Sequence, residues 1–213
     1  MSTYNIFILF FRRNIISKFQ NMKLSTKEKI LISTLKLIDE KPFPQVSTKE
    51  IAKLTGISEG AIFRHYKTKE ILLQKLCEEF LNLTTTLDLS NLESEEEFKV
   101  KLVHFFQFLQ KTENQIYKLM LYVAMYRKEQ FKVFNDIFNV NVYSKIEAVV
   151  KNGTKNWGYS KKINIKLHVR LLMYSIYFFT IQQQVFGADK IEKFNMNDVI
   201  NTAVDNFLYG IKS

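Results

Sequence analysis

The sequence predicts an all-α protein of about nine helices, and three observations support this prediction. Only 6 Gly and 2 Pro occur among 213 residues, about a third of the usual share of these helix-breaking residues. Apolar residues recur at helical spacing along most of the chain, whereas the alternating pattern of a β-strand carries no weight anywhere. Hydrophobic residues make up 46% of the chain, enough to build a buried core in one or two compact domains.

The N-terminal helices are marked by their start and stop residues. Ser25 with Glu28, and Ser47 with Glu50, have the spacing of capping boxes, in which a serine and a glutamate satisfy each other's backbone amides. Gly56 ends the second helix because glycine adopts the left-handed conformation without a steric cost. The predicted helices cover 26–41, a short stretch ending at Gly56, 59–66 after the N-cap Ser58, and a longer stretch from Lys69.

Helical patterns also fill the remainder of the chain. Ser94 precedes three glutamates, and acidic residues are favoured in the first turn of a helix. Gly153, Gly158 and Gly187 mark breaks between later helices. The predicted helices are 94–111, 114–127, 130–152, 162–186 and 196–211.

Composition narrows the class of partner and the environment of the protein. The formal net charge of +10 favours a polyanionic partner, either nucleic acid or an acidic membrane surface. A single cysteine, Cys77, excludes an intrachain disulfide, fits a cytoplasmic protein and is expected to be a core thiol. The longest apolar run, 171–181, is shorter than the 18 or so residues of a membrane span.

Residues 1–22 fit no helical or strand unit that continues into the rest of the chain. We expect them to be an extension upstream of a start at Met22, either non-native or flexible. Two alternatives stay open: a DNA-contacting arm, since Arg12, Arg13 and Lys18 lie here, and an extra helix packed on the core. The order of an apolar run followed by basic residues is the reverse of a signal peptide.

The segment 47–69, STKEIAKLTGISEGAIFRHYKTK, has the features of a helix-turn-helix. Ala52 is small enough for two helices to approach closely, and Gly56 suits the turn between them. Ile51, Ile57 and Ile62 are predicted to share a core. An ordinary helical hairpin is the structural alternative, and the combined spacings disfavour it.

At these residues the sequence resembles the TetR family of bacterial transcriptional regulators. The resemblance covers about 60 residues, from the first helix through Ile51-Ala52 and Thr55–Ser58 to the Lys69–Leu72 helix start. It implies an N-terminal three-helix DNA-binding domain (23–83, motif 46–65), followed by a helical-bundle domain (84–213) for effector binding and dimerisation. Phe63 stands where the family often has tyrosine, so the hydrogen bond that the tyrosine hydroxyl would donate to a DNA phosphate is missing.

The resemblance also implies roles for individual residues at the DNA. Ser47 and Thr48 present a helix N-terminus to phosphate, whereas Tyr66 and Lys69 clamp the backbone. Glu59 is expected to cap its helix, the alternative being a hydrogen bond from a cytosine amino group. The predicted DNA-binding residues are Ser47, Thr48, Ser58, Gly60, Ala61, Phe63, Arg64, His65, Tyr66, Lys67 and Lys69.

The C-terminal part is expected to carry a dimer interface and an effector pocket. Helix 196–211 has one continuous apolar stripe, and helix 162–186 is apolar nearly all round over 171–181, more than one contact face needs. The predicted interface residues are Leu171, Tyr174, Phe178, Val199, Ala203 and Phe207. The aromatic-rich middle of the chain is either ordinary core or a pocket for a hydrophobic molecule, with candidate residues His104, Gln107, Phe108, Tyr117, Met120, Tyr122, Phe134 and Phe178.

These features predict a homodimeric repressor that leaves a palindromic double-stranded DNA operator when a hydrophobic effector binds. The main alternative is a DNA-binding protein of the same fold without a small-molecule effector, either nucleoid-organising or regulated by a protein. A peripheral membrane protein using the N-terminus is a third, weaker alternative. No catalytic, metal or cofactor motif occurs, so we expect no enzymatic activity, no metal site and no cofactor.

Overall fold

The computed structural model describes residues 24–110 and 114–212, so the predictions for residues 1–22 lie outside the described residues. Within the two described ranges the chain forms α-helices and no β-strand, which confirms the predicted all-α class. In chain order the helices are α1 (Thr26–Glu40), α2 (Thr48–Thr55), α3 (Glu59–His65), α4 (Lys69–Thr84), α5 (Glu95–Gln110), α6 (Asn114–Tyr126), α7 (Lys128–Phe138), α8 (Ser144–Asn156), α9 (Ile165–Gln184) and α10 (Met196–Gly210).

A π-helical segment, Asn139–Tyr143, joins α7 to α8, so that 128–156 is one continuous helical stretch. The sequence predicts a single helix over 130–152, and the predicted number of about nine helices holds when this stretch is counted once. Short 3-10 helices lie at Phe43–Gln45 and Ala188–Lys190. No described helix has both the length and the apolar character that are needed to cross a membrane.

Gly153 does not end its helix, contrary to the sequence prediction. The helix continues to Asn156, and the turn is made at Gly158, whose φ of +72° is left-handed. Gly153 is instead a close-packing position: a Cβ placed on it would lie 2.3 Å from a ring carbon of Tyr159. The requirement for glycine there comes from a tertiary contact, which the local sequence does not reveal.

The chain divides into two compact units. The first comprises the described parts of 1–82 and 112–134, and its core is built from buried side chains of α1 to α4 and α6. Lys118 of α6 is held at the end of α1, where its Nζ donates to the Asp39 carbonyl over 2.8 Å and to Asp39 Oδ1 over 3.0 Å. Residues 112–134 therefore group with the N-terminal helices, whereas the functional boundary at 83/84 stays a prediction.

The second unit comprises the described parts of 83–111 and 135–213. In it α10 packs against α5 and α9, around fully buried side chains such as Phe98, Ile200 and Val204. The chain end is fixed by a hydrogen bond from Ser160 N to the Ile211 carbonyl (2.8 Å). The second unit thus presents α9 and α10 side by side.

Candidate nucleic-acid interface

The turn between α2 and α3 is made by Gly56. Its φ of +76° lies in the left-handed region, and its N–H donates to the carbonyls of Ala52 (3.0 Å) and Lys53 (3.3 Å). Ile57 N also donates to the Ala52 carbonyl (3.1 Å). These bonds satisfy the last carbonyls of α2 and redirect the chain into α3, as a helix-turn-helix requires.

The two short helices share a core with α1, as predicted for two of the three isoleucines. Ile51 is 0% exposed and Ile62 is 1% exposed, and Ala52 is buried between the helices. Ile57 is only half-buried, so it contributes less to this core than the other two isoleucines. It sits in the turn itself, where one side of the chain still faces solvent.

Side-chain caps fix the N-termini of both helices. Ser47 Oγ accepts from Glu50 N (3.2 Å), and Glu50 Oε2 accepts from Ser47 N (2.9 Å), which completes the predicted capping box. Lys41 Nζ adds an ion pair with Glu50 Oε1 (2.5 Å). Hydrogen bonds from Lys41 and Ser47 lower the pKa of Glu50 to about 2, so its carboxylate stays ionised near neutral pH.

The outward face of α3 carries side chains that were predicted to bind DNA. Gly60, Arg64 and His65 are exposed, Ala61 is half-buried, and Phe63 is 45% exposed. Further basic and polar side chains lie exposed around this face: Ser47, Lys49, Lys53, Ser58 and Lys67.

Tyr66 does not belong to that exposed surface. It is 5% exposed, and its hydroxyl donates to the Lys27 carbonyl of α1 over 3.4 Å. Burial, together with the charges of Glu79 and Glu28, raises its pKa to about 12. The structure therefore contradicts the prediction that Tyr66 clamps the DNA backbone, because its ring and hydroxyl hold α3 against α1.

Lys69, the other predicted clamp, is partly engaged within the protein. Its Nζ donates to the Pro44 carbonyl (2.9 Å) and lies 4.8 Å from the centroid of the Phe43 ring. Partial burial lowers its pKa, and the positive charges of Arg127 and Lys41 add to that effect. Contact with a phosphate at this residue requires the ammonium group to share or leave its Pro44 partner.

Glu59 takes a role that the sequence analysis missed. The side-chain cap of α3 is made by Ser58, whose Oγ accepts from Ala61 N (3.2 Å). Glu59 lies in the first turn, where the helix dipole favours an acidic residue, as the expected capping role requires. Its carboxylate also accepts a hydrogen bond from the Thr48 hydroxyl at the start of α2. Eleven residues separate the two, and no local pattern links residues at that distance.

Comparison with known proteins identifies this arrangement. Residues 30–76, which span most of α1 through the first half of α4, match the family model described as bacterial regulatory proteins, tetR family. Residues 30–76 thus carry the N-terminal helix-turn-helix domain of the TetR family. The resemblance seen in the sequence is thereby confirmed, and the α2–Gly56–α3 unit is the family's helix-turn-helix.

Three relatives with similar sequences align with part of the chain. The chain is 38% identical over 58 residues to the uncharacterised HTH-type transcriptional regulator YerO of Bacillus subtilis. This alignment covers 27% of this chain and 20% of YerO. It is 33% identical over 58 residues to the nucleoid occlusion factor SlmA of Marinobacter nauticus, covering 27% and 30%. A third, YvkB of B. subtilis, is 27% identical over 116 residues, covering 54% and 50%. The chain thus aligns with half or less of the length of these relatives.

Solved structures share the fold over most of the chain. The TetR family regulator PfmR from Thermus thermophilus superposes with a TM-score of 0.66 at 18% identity, covering 86% of this chain and 99% of that one. The repressor SmeT of Stenotrophomonas maltophilia superposes with a TM-score of 0.65 at 16% identity, covering 87% and 90%. At such identities the likeness shows the TetR fold alone.

The residues predicted for a TetR-type dimer interface lie on α9 and α10 of the second unit, and all of them except Phe207, which is buried, are at least partly exposed. Leu171, Tyr174 and Phe178 of α9 are 58%, 55% and 54% exposed and follow one face of the helix. Leu171 also lines a groove of about 750 Å³ between α9 and α10, together with Val199, Ala203 and Phe207. The lining of this groove includes five residues of α9 and six of α10, and the groove is open to solvent.

The residues predicted for a TetR-type effector pocket are divided between the two units. In the first, Tyr117 and Met120 are buried, whereas Tyr122 and Phe134 are half-buried. In the second, Gln107 and Phe108 are half-buried, but His104 and Phe178 are exposed. Because residues that line an enclosed pocket are shielded from solvent, the exposure of His104 and Phe178 does not favour a role in such a pocket. Effector binding by the other residues stays a prediction.

The acidic, histidine and cysteine side chains of the described residues form no group of three or more that is arranged to hold a metal ion. His168 Nδ1 lies 3.0 Å from the Asn164 carbonyl at the start of α9, which accounts for its position. Cys77 is buried, and burial raises the pKa of its thiol to about 12, as expected of a core cysteine.

Proposed function

We propose that the protein is a homodimeric, sequence-specific DNA-binding transcriptional regulator. The observation that carries this proposal is the exposed face of α3, with Phe63, Arg64 and His65 presented beyond a glycine turn in a TetR-type helix-turn-helix. In such motifs the second helix enters the major groove while the first crosses the sugar–phosphate backbone. A protein acting on DNA in this way works in the cytoplasm, at the nucleoid.

The second copy of the chain is the partner proposed for the α9 and α10 surface. Leu167, Leu171, Tyr174 and Phe178 are all more than half exposed and recur at helical spacing, which is costly for a face left in water. A twofold axis through this surface would make it self-complementary. Dimers of helix-turn-helix motifs bind half-sites one helical turn, about 34–36 Å, apart, so we expect a palindromic operator.

We further propose repression that a hydrophobic effector relieves. The repressor SmeT and NalD of Pseudomonas aeruginosa, described as the secondary repressor of a multidrug efflux pump, have this fold at TM-scores of 0.65 and 0.63. The aromatic and methionine side chains around Tyr117 and Met120 would suit an apolar ligand. Such a ligand acts only through its differential affinity for the free and DNA-bound states, typically about 1–3 kcal/mol.

A regulator without a small-molecule effector is the second candidate. It is favoured by the 33% identity over 58 residues to SlmA, described as a nucleoid occlusion factor. A thermal-shift screen with apolar and cationic compounds separates the two candidates. Saturable stabilisation that weakens DNA binding supports the effector, whereas DNA binding that is unaffected by every stabilising compound favours the second candidate.

DNA binding itself is tested by selecting bound sequences from genomic fragments and from random duplexes. We expect a palindromic consensus and a nanomolar complex whose affinity falls steeply with salt. Arg64→Ala should remove the preference at one position of each half-site, while Lys36→Ala, which deletes an exposed charge of α1, should leave every preference in place. An unselective wild-type protein would refute the proposed function.

A further inference from the structure

The recognition helix α3 begins with an acidic side chain that makes no capping hydrogen bond in its own helix. Ser58 makes the cap, and Glu59 is exposed in the first turn. Its carboxylate accepts a hydrogen bond from Thr48, the first residue of α2. This hydrogen bond places the carboxylate where the first turns of α2 and α3 meet.

A carboxylate fixed at this place is unfavourable for DNA binding in general. Its negative charge faces a polyanion, among side chains such as Lys49, Lys53 and Arg64 that would otherwise attract phosphates. The N-terminal residues of a recognition helix are those that contact base edges. An acceptor there becomes favourable only opposite a hydrogen-bond donor on a base.

The chemistry of the major groove selects one base. Cytosine presents only its N4 amino group, a pure donor, which glutamate and aspartate are known to accept. Adenine also presents an amino group, but its N7 acceptor lies beside it and repels a carboxylate. Guanine and thymine offer no amino donor in this groove.

We propose that Glu59 determines specificity by accepting a hydrogen bond from the amino group of a cytosine, and that Thr48 is the positioning residue that holds its carboxylate. This inference rests on the proposed function, since it concerns the same DNA surface. It assigns to Thr48 a role beyond the helix N-terminus that was predicted to meet phosphate.

The test measures wild-type and variant affinities for the selected consensus, for every single-base change in it, and for an unrelated duplex. Glu59→Ala should lower discrimination by about fivefold or more at one cytosine of each half-site, and should strengthen binding to the unrelated duplex. Glu59→Gln should move the preference at that position toward adenine, because a glutamine amide matches the adenine N6 and N7 edge. Glu129→Ala, which removes the same charge from an exposed position of α7, should change neither quantity.

Thr48 is tested by paired variants that keep or remove its hydroxyl. Thr48→Val should reduce the cytosine preference while leaving the melting temperature and the unrelated-duplex affinity near those of the wild type, and Thr48→Ser should restore the preference. The inference is overturned if Glu59→Ala strengthens all duplexes equally and keeps every preference. A wild-type protein with no selectable consensus would instead refute the proposed function.

Discussion

Replacing Leu171 with lysine should dissociate the proposed dimer. Leu171 is 58% exposed on α9 and lies at the border of the α9–α10 groove. Burying a whole leucine side chain is worth about 2 kcal/mol, so covering the exposed part contributes about 1.2 kcal/mol in each protomer. A twofold interface doubles this to about 2.4 kcal/mol, roughly a 50-fold change in the dimer dissociation constant. The buried lysine charge adds a further cost, so this is a lower bound.

Sedimentation equilibrium over a concentration series measures this change directly. Val133→Lys is a matched control, because Val133 on α7 is also 58% exposed and receives the same charge. We expect the control to remain dimeric and the Leu171 variant to become largely monomeric at micromolar concentration, with weaker operator binding as a consequence. Equal dimer constants for both variants would show that the α9 face is not the contact between copies.

Three further predictions follow from single contacts. Glu50→Gln should be less stable than the wild type in thermal melts at pH 6. Hydrogen bonds from Lys41 and Ser47 hold the pKa of Glu50 at about 2, below its ordinary value of 4.5. The difference in stability should therefore shrink as the pH falls from 4.5 and vanish near pH 2. Gly153→Ala should cost about 1–3 kcal/mol in denaturant unfolding because its Cβ overlaps Tyr159, whereas Gly210→Ala, with open space around it, should be nearly neutral. Tyr66→Phe should lose about 1 kcal/mol or less and keep wild-type operator affinity; a large affinity loss with intact folding would place its hydroxyl at the DNA.

The sequence predicts the N-terminal unit well because its signals are local. Capping boxes, a turn glycine and i, i+3, i+4 spacing each act within four residues, and the helices beginning at Thr26, Thr48, Glu59 and Lys69 start where these signals predict. Phe63 and Tyr66 show the limit. Both are aromatic residues of the same short segment, yet Phe63 is exposed and Tyr66 buried, because only Tyr66 meets the Lys27 carbonyl of α1.

Long-range contacts account for the other differences. The Thr48–Glu59 bond, the Lys69 contact with Pro44 and the close approach of Tyr159 to Gly153 all join residues that no helical period relates. Each changes the role of a side chain without changing the secondary structure. Site chemistry is therefore less predictable than fold, even where the motif itself is specific.

Long-range contacts also decide which basic side chains are available to DNA, and a salt titration of DNA binding measures their number. Four lysines of the first unit already have partners within the protein, namely Lys41 with Glu50, Lys69 with Pro44, Lys75 with Glu79 and Lys118 with Asp39. Counterion release counts only cations that meet phosphate, at a slope of about −0.9 per contact in log affinity against log salt. Exposed basic side chains of the helix-turn-helix are Lys49, Lys53, Arg64 and Lys67. If Arg64 contacts bases while Lys49, Lys53 and Lys67 contact phosphates, a dimer makes six phosphate contacts and the slope is about −5. If Lys69 also contacts phosphate in both protomers, the slope steepens to about −7. A wild-type slope near −7 that returns to −5 in Lys69→Gln would show that Lys69 gives up Pro44 for DNA, whereas equal slopes near −5 would leave it a purely internal contact.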